Sequence, residues 1–394
     1  MSSLLEPIVV GGKLPLRNRV GMGALTRNRC VNDLKPGPAQ VKHYSERARD
    51  GTGLIVNEGT LIDWTGTDWK YTPVMINDDH AGAWKKVVAA VHEEGGTIFF
   101  QAWHVGRIQN ENMPIMKETK TPVLAPSAIQ AEGGKYRELP GAPGHSNNIT
   151  VIEDPRDVVE MYRRAVQLAK NAGFDGVEFL AQGGYLPHQF LCSRANMRTD
   201  AYGGSVENRC RFILEVVDAI EQVYSGYEYI CVKLCPADFL NDSVVTFEEM
   251  KQTYSYLLKE LVKRRVGIIN LSRRGIELST QTGNSSTIDC RPEGFPLPPG
   301  YDPVLDFGPL VKYPGSPSLL MVNHDYTPEE ADELIRAGKI DLVSFGRPFI
   351  FNPDVISRIR HNIPFAENCR GNEVFYGPYS VEDENYNDWP AAKV

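Results

Sequence analysis

The chain has 394 residues, with 42 Lys or Arg against 50 Asp or Glu and a net charge of −8. That length suits one barrel with insertions better than an average domain. The charge is spread thinly, no basic block invites nucleic acid or an anionic membrane surface, and no apolar run reaches membrane-spanning length.

In chain order, residues 7–19 hold a Gly-Gly turn between two short apolar runs and predict a hairpin closing the bottom of a barrel. Apolar, β-branched runs then recur at 20–25, 53–60, 97–104, 176–182, 229–236, 267–274, 318–325 and 342–349. They are continuous rather than alternating, as strands buried on both faces are. Helical stretches lie between them at 83–94, 154–172, 206–223, 247–263 and 327–337. Asp154 offers an N-cap, Pro155 the first helical residue and Gly173 the stop; Thr327, Pro328 and Glu330 make a similar start with a capping-box glutamate. Eight strand–helix repeats predict a parallel sheet closed into an α/β (β/α)8 TIM barrel, as one domain over 1–394. Two long segments, 107–150 after the third strand and 275–300 after the sixth, leave the C-terminal strand ends and are expected to form lids or pocket walls. The polar residues 382–394 are expected to run over the surface. The seven cysteines are scattered, Cys231 and Cys235 have no metal spacing, and the N-terminus has no signal-peptide pattern, so a reduced, cytoplasmic protein without a metal is expected.

From Asp175 the sequence carries denser motifs. Arg198-Thr199-Asp200, Tyr202-Gly203-Gly204-Ser205 and Glu207-Asn208-Arg209 follow the fourth strand. Leu25-Thr26-Arg27 ends the first strand, and Gln101, His104, Gly106 and Arg107 end the third. Ala125-Pro126-Ser127, Phe345-Gly346-Arg347-Pro348-Phe349, Asn352-Pro353-Asp354 and Phe375-Tyr376-Gly377 complete the set. In this order they resemble the Old Yellow Enzyme family along nearly the whole chain. The resemblance implies FMN at the C-terminal mouth of the barrel. Thr26 matches the position that bonds the flavin O4 region, and Ala24 replaces a proline beside the ring. Gln101 matches the amide on the pyrimidine edge, where donor and acceptor are needed together. Lys233 stands where the family usually has Arg near N1 and O2; it keeps the charge but loses the planar fork. Gly346 and Arg347 match the phosphate turn, and His324 stands at a usual glycine beside it. Gly21-Met22-Gly23 opens no Rossmann unit, and the resemblance implies that NAD(P)H stacks over the flavin in the substrate pocket.

The family reduces activated alkenes. Tyr185 matches its proton donor, a phenol that is neutral at pH 7. Trp103 and Tyr376 match pocket walls, while His104 and His188 read as structural. The carbonyl-binding His–Asn or His–His pair should fall at Leu180 and Gly183, and neither side chain can donate a hydrogen bond. Loss of one such donor elsewhere costs roughly 3–4 kcal/mol of transition-state stabilisation. Leu180 makes the floor apolar and Gly183 is expected to open space, so a bulky apolar small molecule is the expected partner, with the protein a monomer or homodimer. Three readings follow. The first is an FMN-dependent oxidoreductase acting on an already activated C=C bond, as a tailoring enzyme of secondary metabolism. The second is a redox-neutral isomerase or epimerase using Tyr185 for proton transfer. The third is a non-catalytic flavin- or ligand-binding relative. Restoring the pair with Leu180→His and Gly183→Asn is expected to raise reduction of simple enones.

Overall fold

A computed structural model describes residues 2–66, 69–134, 139–141, 143–273, 291–377 and 379–393. Its central sheet runs through β1 (Val20–Met22), β2 (Leu54–Val56), β3 (Ile98–Trp103), β4 (Gly176–Leu180), β5 (Ile230–Leu234), β6 (Ile268–Ser272), β7 (Leu319–Asn323) and β8 (Leu342–Phe345). All neighbours are parallel, and Val20 of β1 pairs with Val343 of β8, which closes the barrel. The helices around it are α1 (Pro38–Arg49), α2 (Asp78–Glu93), α3 (Pro155–Ala172), α4 (Val206–Tyr224), α5 (Phe247–Lys263), α6 (Pro303–Val311), α7 (Pro328–Arg336) and α8 (Val355–His361). No helix among the described residues is long and apolar enough to cross a membrane.

The strand period of two sorts the side chains. Val177, Phe179 and Val232 point outward into the core shared with Trp84, Tyr162 and Phe212 of the helices. Phe99, Cys231, Ile268 and Met321 point inward and pack on Val10 and Leu16 of the hairpin (Ile8–Val10 paired with Leu14–Leu16). Each such large side chain contributes roughly 1.5–3 kcal/mol by leaving water. The hairpin thus plugs the barrel floor, as expected. Its turn needs glycine, since Gly11 and Gly12 lie at φ 54° and 74°.

Several boundaries differ from the sequence reading. The run 53–60 splits after Val56, and Thr60–Leu61 forms a separate short strand against Ala102 and Trp103. Helix α2 starts at Asp78 rather than 83, because the Asn77 side chain caps it by accepting from the His80 amide. Thr327 caps α7 through the Glu330 amide, but the Glu330 carboxylate pairs with Arg273 rather than turning back to the cap. The described residues of 107–150 include the short helix Pro114–Thr119 and the parallel pair Val123–Ala125 and Ile149–Val151. Buried Arg107 ties that segment together by donating to the carbonyls of Ile129 (3.0 Å) and Asp242 (3.0 Å). Of the 275–300 segment, residues 275–290 lie outside the described residues. In the remainder, Arg291 donates to the carbonyls of Ala237 and Val245, next to the end of β5.

Candidate active site

One step above the apolar floor, the inward positions turn polar. Phe99 gives way to Gln101, Gly176 to Glu178, Cys231 to Lys233 and Ile268 to Asn270. Gln101 Nε2 donates to Glu178 Oε1 (2.7 Å), and Asn270 Nδ2 donates to Glu178 Oε2 (3.0 Å). Asn323 Nδ2 donates in turn to Asn270 Oδ1 (2.7 Å). Ser272 Oγ sits 2.9 Å from Asn323 Oδ1 and 2.8 Å from Gln182 Oε1. The buried Glu178 carboxylate is thereby satisfied by fixed amides, as a charge out of water must be. Sequence reasoning missed Glu178, Asn270, Ser272, Asn323 and Gln182. Their signal was present as a polar residue at alternate positions of otherwise apolar runs, VEFL and INLS among them.

Lys233 lies between Leu180 and Asn270 in the sheet register and is 9% exposed. Its Nζ makes no ion pair or hydrogen bond with a described residue. Gln101 Oε1 likewise accepts from no described residue. Residue 59 must be glycine because the Trp103 ring and the Gln101 amide pack directly against it. A Cβ there would lie 2.8 Å from Trp103 Cε3 and 3.1 Å from Gln101 Oε1.

After β1 the backbone passes Gly23, Ala24 and half-buried Thr26. Ala24 packs at the upper edge of the inward apolar cluster. Arg27 and Arg29 then turn away from the mouth and hold the C-terminal segment. Arg27 Nη2 donates to the carbonyls of Val374 and Asn385 (both 2.9 Å), and its Nε to that of Phe375 (3.3 Å). Arg29 donates to the carbonyls of Glu382 (3.0 Å) and Glu384 (2.7 Å). His43 stacks on Tyr386 at 4.0 Å between centroids. The tail therefore does not simply run over the surface. Tyr386 is buried because two guanidinium groups taken from water need carbonyl and aromatic partners, and Trp389 is buried against Phe351. This docking sets the turn Glu373–Tyr376 in place, with Tyr376 stacked on Trp69 at 4.3 Å.

At the ends of β7 and β8 lies a second group. His324 has φ 78° and Asp325 φ 57°, in the left-handed region that favours glycine. The histidine keeps the turn a glycine would make, and its Nε2 leans to Asp325 Oδ2 at 3.4 Å. The amides of Gly346 and Arg347 donate to no described acceptor, and the exposed Arg347 guanidinium lies 5.8 Å from the Phe375 ring centroid.

The third group sits over β3 and β4. Trp103, Leu180 and Tyr185 share one apolar cluster with Leu61, Val105 and Trp69. The Trp103 and Tyr185 rings meet edge to face at 5.1 Å. Gly183 does not open space as expected. It has φ 72°, and a Cβ there would lie 2.8 Å from Tyr185 Cε2, so the tyrosine ring occupies the room. Its amide donates to Asp238 Oδ2 (2.6 Å) and its carbonyl accepts from Asn241 (2.7 Å). His104 and His188 are structural. His104 Nδ1 accepts from the Gly106 amide (3.0 Å) while Nε2 meets Thr65 Oγ1 (3.0 Å), and burial pushes its pKa down to about 4. Burial likewise lowers that of His188, whose Nδ1 accepts from the Gly184 amide (3.2 Å).

The profile of the NADH:flavin oxidoreductase / NADH oxidase family matches residues 3–366. The chain belongs to this family, that of the Old Yellow Enzymes. It is 33% identical over 386 residues to 12-oxophytodienoate reductase 7 of Oryza sativa subsp. japonica, covering 95% of this chain and 91% of that one. It is 32% identical over 392 residues to a probable flavin mononucleotide-dependent alkene reductase of Leishmania infantum, covering 98% and 97%. A structure of morphinone reductase in complex with tetrahydroNAD superposes with a TM-score of 0.83 at 34% identity, covering 100% of this chain and 98% of that chain.

As an Old Yellow Enzyme the chain is an FMN-dependent oxidoreductase supplied by NAD(P)H. The residues present fit that group. Lys233 Nζ and Gln101 Oε1, which bond no described residue, belong to the inward polar layer of the barrel strands, and a cation beside an amide acceptor suits a polar ring edge. The amides of Gly346 and Arg347, which donate to no described acceptor, lie beside a guanidinium and suit a phosphate.

Proposed function

We propose that this Old Yellow Enzyme reduces an activated C=C bond in an apolar substrate, as a tailoring step of secondary metabolism, with the chain acting as one FMN-binding domain. The observation that carries this reading is the pair of positions Leu180 and Gly183. One is a buried aliphatic side chain in an aromatic-rimmed cluster, and the other is filled by the Tyr185 ring. With two carbonyl donors gone, at roughly 3–4 kcal/mol each, a simple enone is a poor substrate. A quinone methide, iminium or polyene carbonyl, polarised already, asks less of the protein.

FMN, when bound, would supply the hydride for the alkene. Thr26 and Gln101 would hold the polar edge of its ring, and Lys233 would stabilise negative charge there. Gly346 and Arg347, with the turn at His324, hold the phosphate. Tyr185 delivers a proton from its phenol to the other alkene carbon. Trp103, Leu180 and the stacked Tyr376 and Trp69 exclude water and bind the apolar body.

The test is an anaerobic NADPH titration of purified protein, followed by its visible spectrum. The expected result is a flavin band that bleaches and recovers on adding an activated alkene. A band that never bleaches, or turnover without reductant and with solvent deuterium incorporated, would overturn it in favour of a redox-neutral isomerase.

A further inference from the structure

Resting on that reading, we propose that Glu178 is a positioning residue for the cofactor. It turns Gln101 so that only the carbonyl oxygen faces the ring edge, and it sets a fixed negative charge near Lys233 that keeps the bound flavin strongly reducing. Glu178 lies in the middle of β4, opposite Gln101 of β3 and Cys231 of β5, and is fully buried. The groups that bond its carboxylate are all donors. Oε1 accepts from Gln101 Nε2 (2.7 Å), and Oε2 accepts from Asn270 Nδ2 (3.0 Å) and from the Cys231 thiol (3.4 Å). Asn270 reaches it from β6, across β5, and Lys233 is the next inward residue after Cys231 along that strand. No ion pair joins Lys233 to Glu178.

That bonding has two consequences. An amide has one donor end and one acceptor end. With Nε2 given to Glu178, Gln101 turns Oε1 to the other side, so the site asks for an N–H at that point. The pyrimidine edge of a flavin carries one, between its two carbonyls. The second consequence concerns charge. Neutral donors already fill the carboxylate, so Lys233 is not drawn into an ion pair and its ammonium stays available to a ligand. The anion remains in the same buried layer, where it is screened far less than in water. Reduction puts negative charge on the ring edge; Lys233 favours that charge and Glu178 opposes it. A carboxylate buried without a cation is costly. In a pocket with no donor at positions 180 and 183 it has a use, because a more strongly reducing ring makes up for a less polarised alkene.

The experiment measures two properties of the FMN-loaded protein. One is the midpoint potential, set with dithionite against a reference dye so that NADPH is not needed. The other is the FMN Kd, read from the fluorescence released on dilution. Glu178→Gln removes the charge but keeps an acceptor for Gln101. It is expected to favour reduced over oxidised FMN by roughly tenfold, the scale of one unit charge acting through a protein interior, which is a rise of about 30 mV for two electrons. Glu178→Asp keeps the charge but draws it back from Gln101 by one methylene. It is expected to leave the potential close to that of the wild type and to raise the FMN Kd about three- to tenfold, the worth of one neutral hydrogen bond. It carries the test alone if Glu178→Gln does not fold. An unchanged potential in Glu178→Gln, or the same rise in Glu178→Asp, would overturn the role of the charge, and an unchanged FMN Kd in Glu178→Asp would overturn the hold on Gln101. A wild-type flavin that bleaches with dithionite but never with NADPH would instead overturn the function on which the proposal rests.

Discussion

Restoring the missing donors is the sharpest probe of the pocket, and the structure alters what should be expected of it. Leu180→His places an imidazole at a buried position beside Trp103. It gives up an apolar side chain, at about 1.5–3 kcal/mol of stability, and adds one donor. A donor of that kind is worth about 10²–10³ in kcat where it is well placed, which sets the upper limit for the gain on 2-cyclohexen-1-one. Gly183→Asn is another matter. Asparagine tolerates φ 72° better than most residues, but its Cβ would sit 2.8 Å from Tyr185 Cε2. Ordinary contact requires the ring to retreat by about half an ångström, and a misplaced proton donor is costly, since roughly 1 Å of displacement can cost 10²-fold. The double variant is therefore expected to reduce the enone more slowly than Leu180→His alone. The assay is anaerobic stopped-flow oxidation of NADPH-reduced enzyme by 2-cyclohexen-1-one, with FMN occupancy matched. A double variant faster than the single one would refute the obstruction by Tyr185. A single variant no faster than wild type would refute the assignment of position 180.

Two further outcomes follow from the same geometry. Tyr185→Phe should slow alkene reduction by about 10²–10⁴ while leaving NADPH-driven flavin bleaching intact; equal loss in both half-reactions would show a structural role instead. Glu58, wholly buried near Arg27, has its pKa pushed from 4.5 up to about 7 by burial, against the opposing pull of Arg27. The folded chain then holds more protons than the unfolded one between about pH 4.5 and 7, so stability is lost as pH rises through that window, by roughly 3 kcal/mol. Glu58→Gln should raise the thermal midpoint at pH 8 well above its effect at pH 5, and equal shifts at both would sink the argument.

What was legible in the sequence follows from how each signal is written. The eight strands could be read because burial on both faces leaves unbroken apolar runs, and the family motifs picked out Gln101 and Lys233 within strands and Thr26, Tyr185 and Gly346 in the loops that follow them. Helix α1 escaped notice because its polar residues mask its buried face, although Gly37 and Pro38 mark its start and Gln40 accepts from the Gly37 amide. The polar layer was hidden because a lone Asn or Glu in an apolar run looks like an exception until the register stacks Gln101, Glu178 and Asn270 together. His324 shows the limit of residue identity. A left-handed turn announces itself when glycine makes it, and not when histidine does. Gly183 misled for the opposite reason, since an absent side chain reads as room even where a neighbouring ring has taken it.

The C-terminal segment has a consequence for biogenesis. Residues 373–389 leave the ribosome after every strand of the barrel has been made, yet Arg27 and Arg29, near the start, stay unpaired until that segment docks. The nascent barrel can close its sheet without them, but it lacks the Tyr376 wall stacked on Trp69. Synthesis thus separates the sheet from its site in time: a stretch that emerges after all eight strands completes the pocket, and a chain stalled shortly before it would display every strand and an unfinished wall.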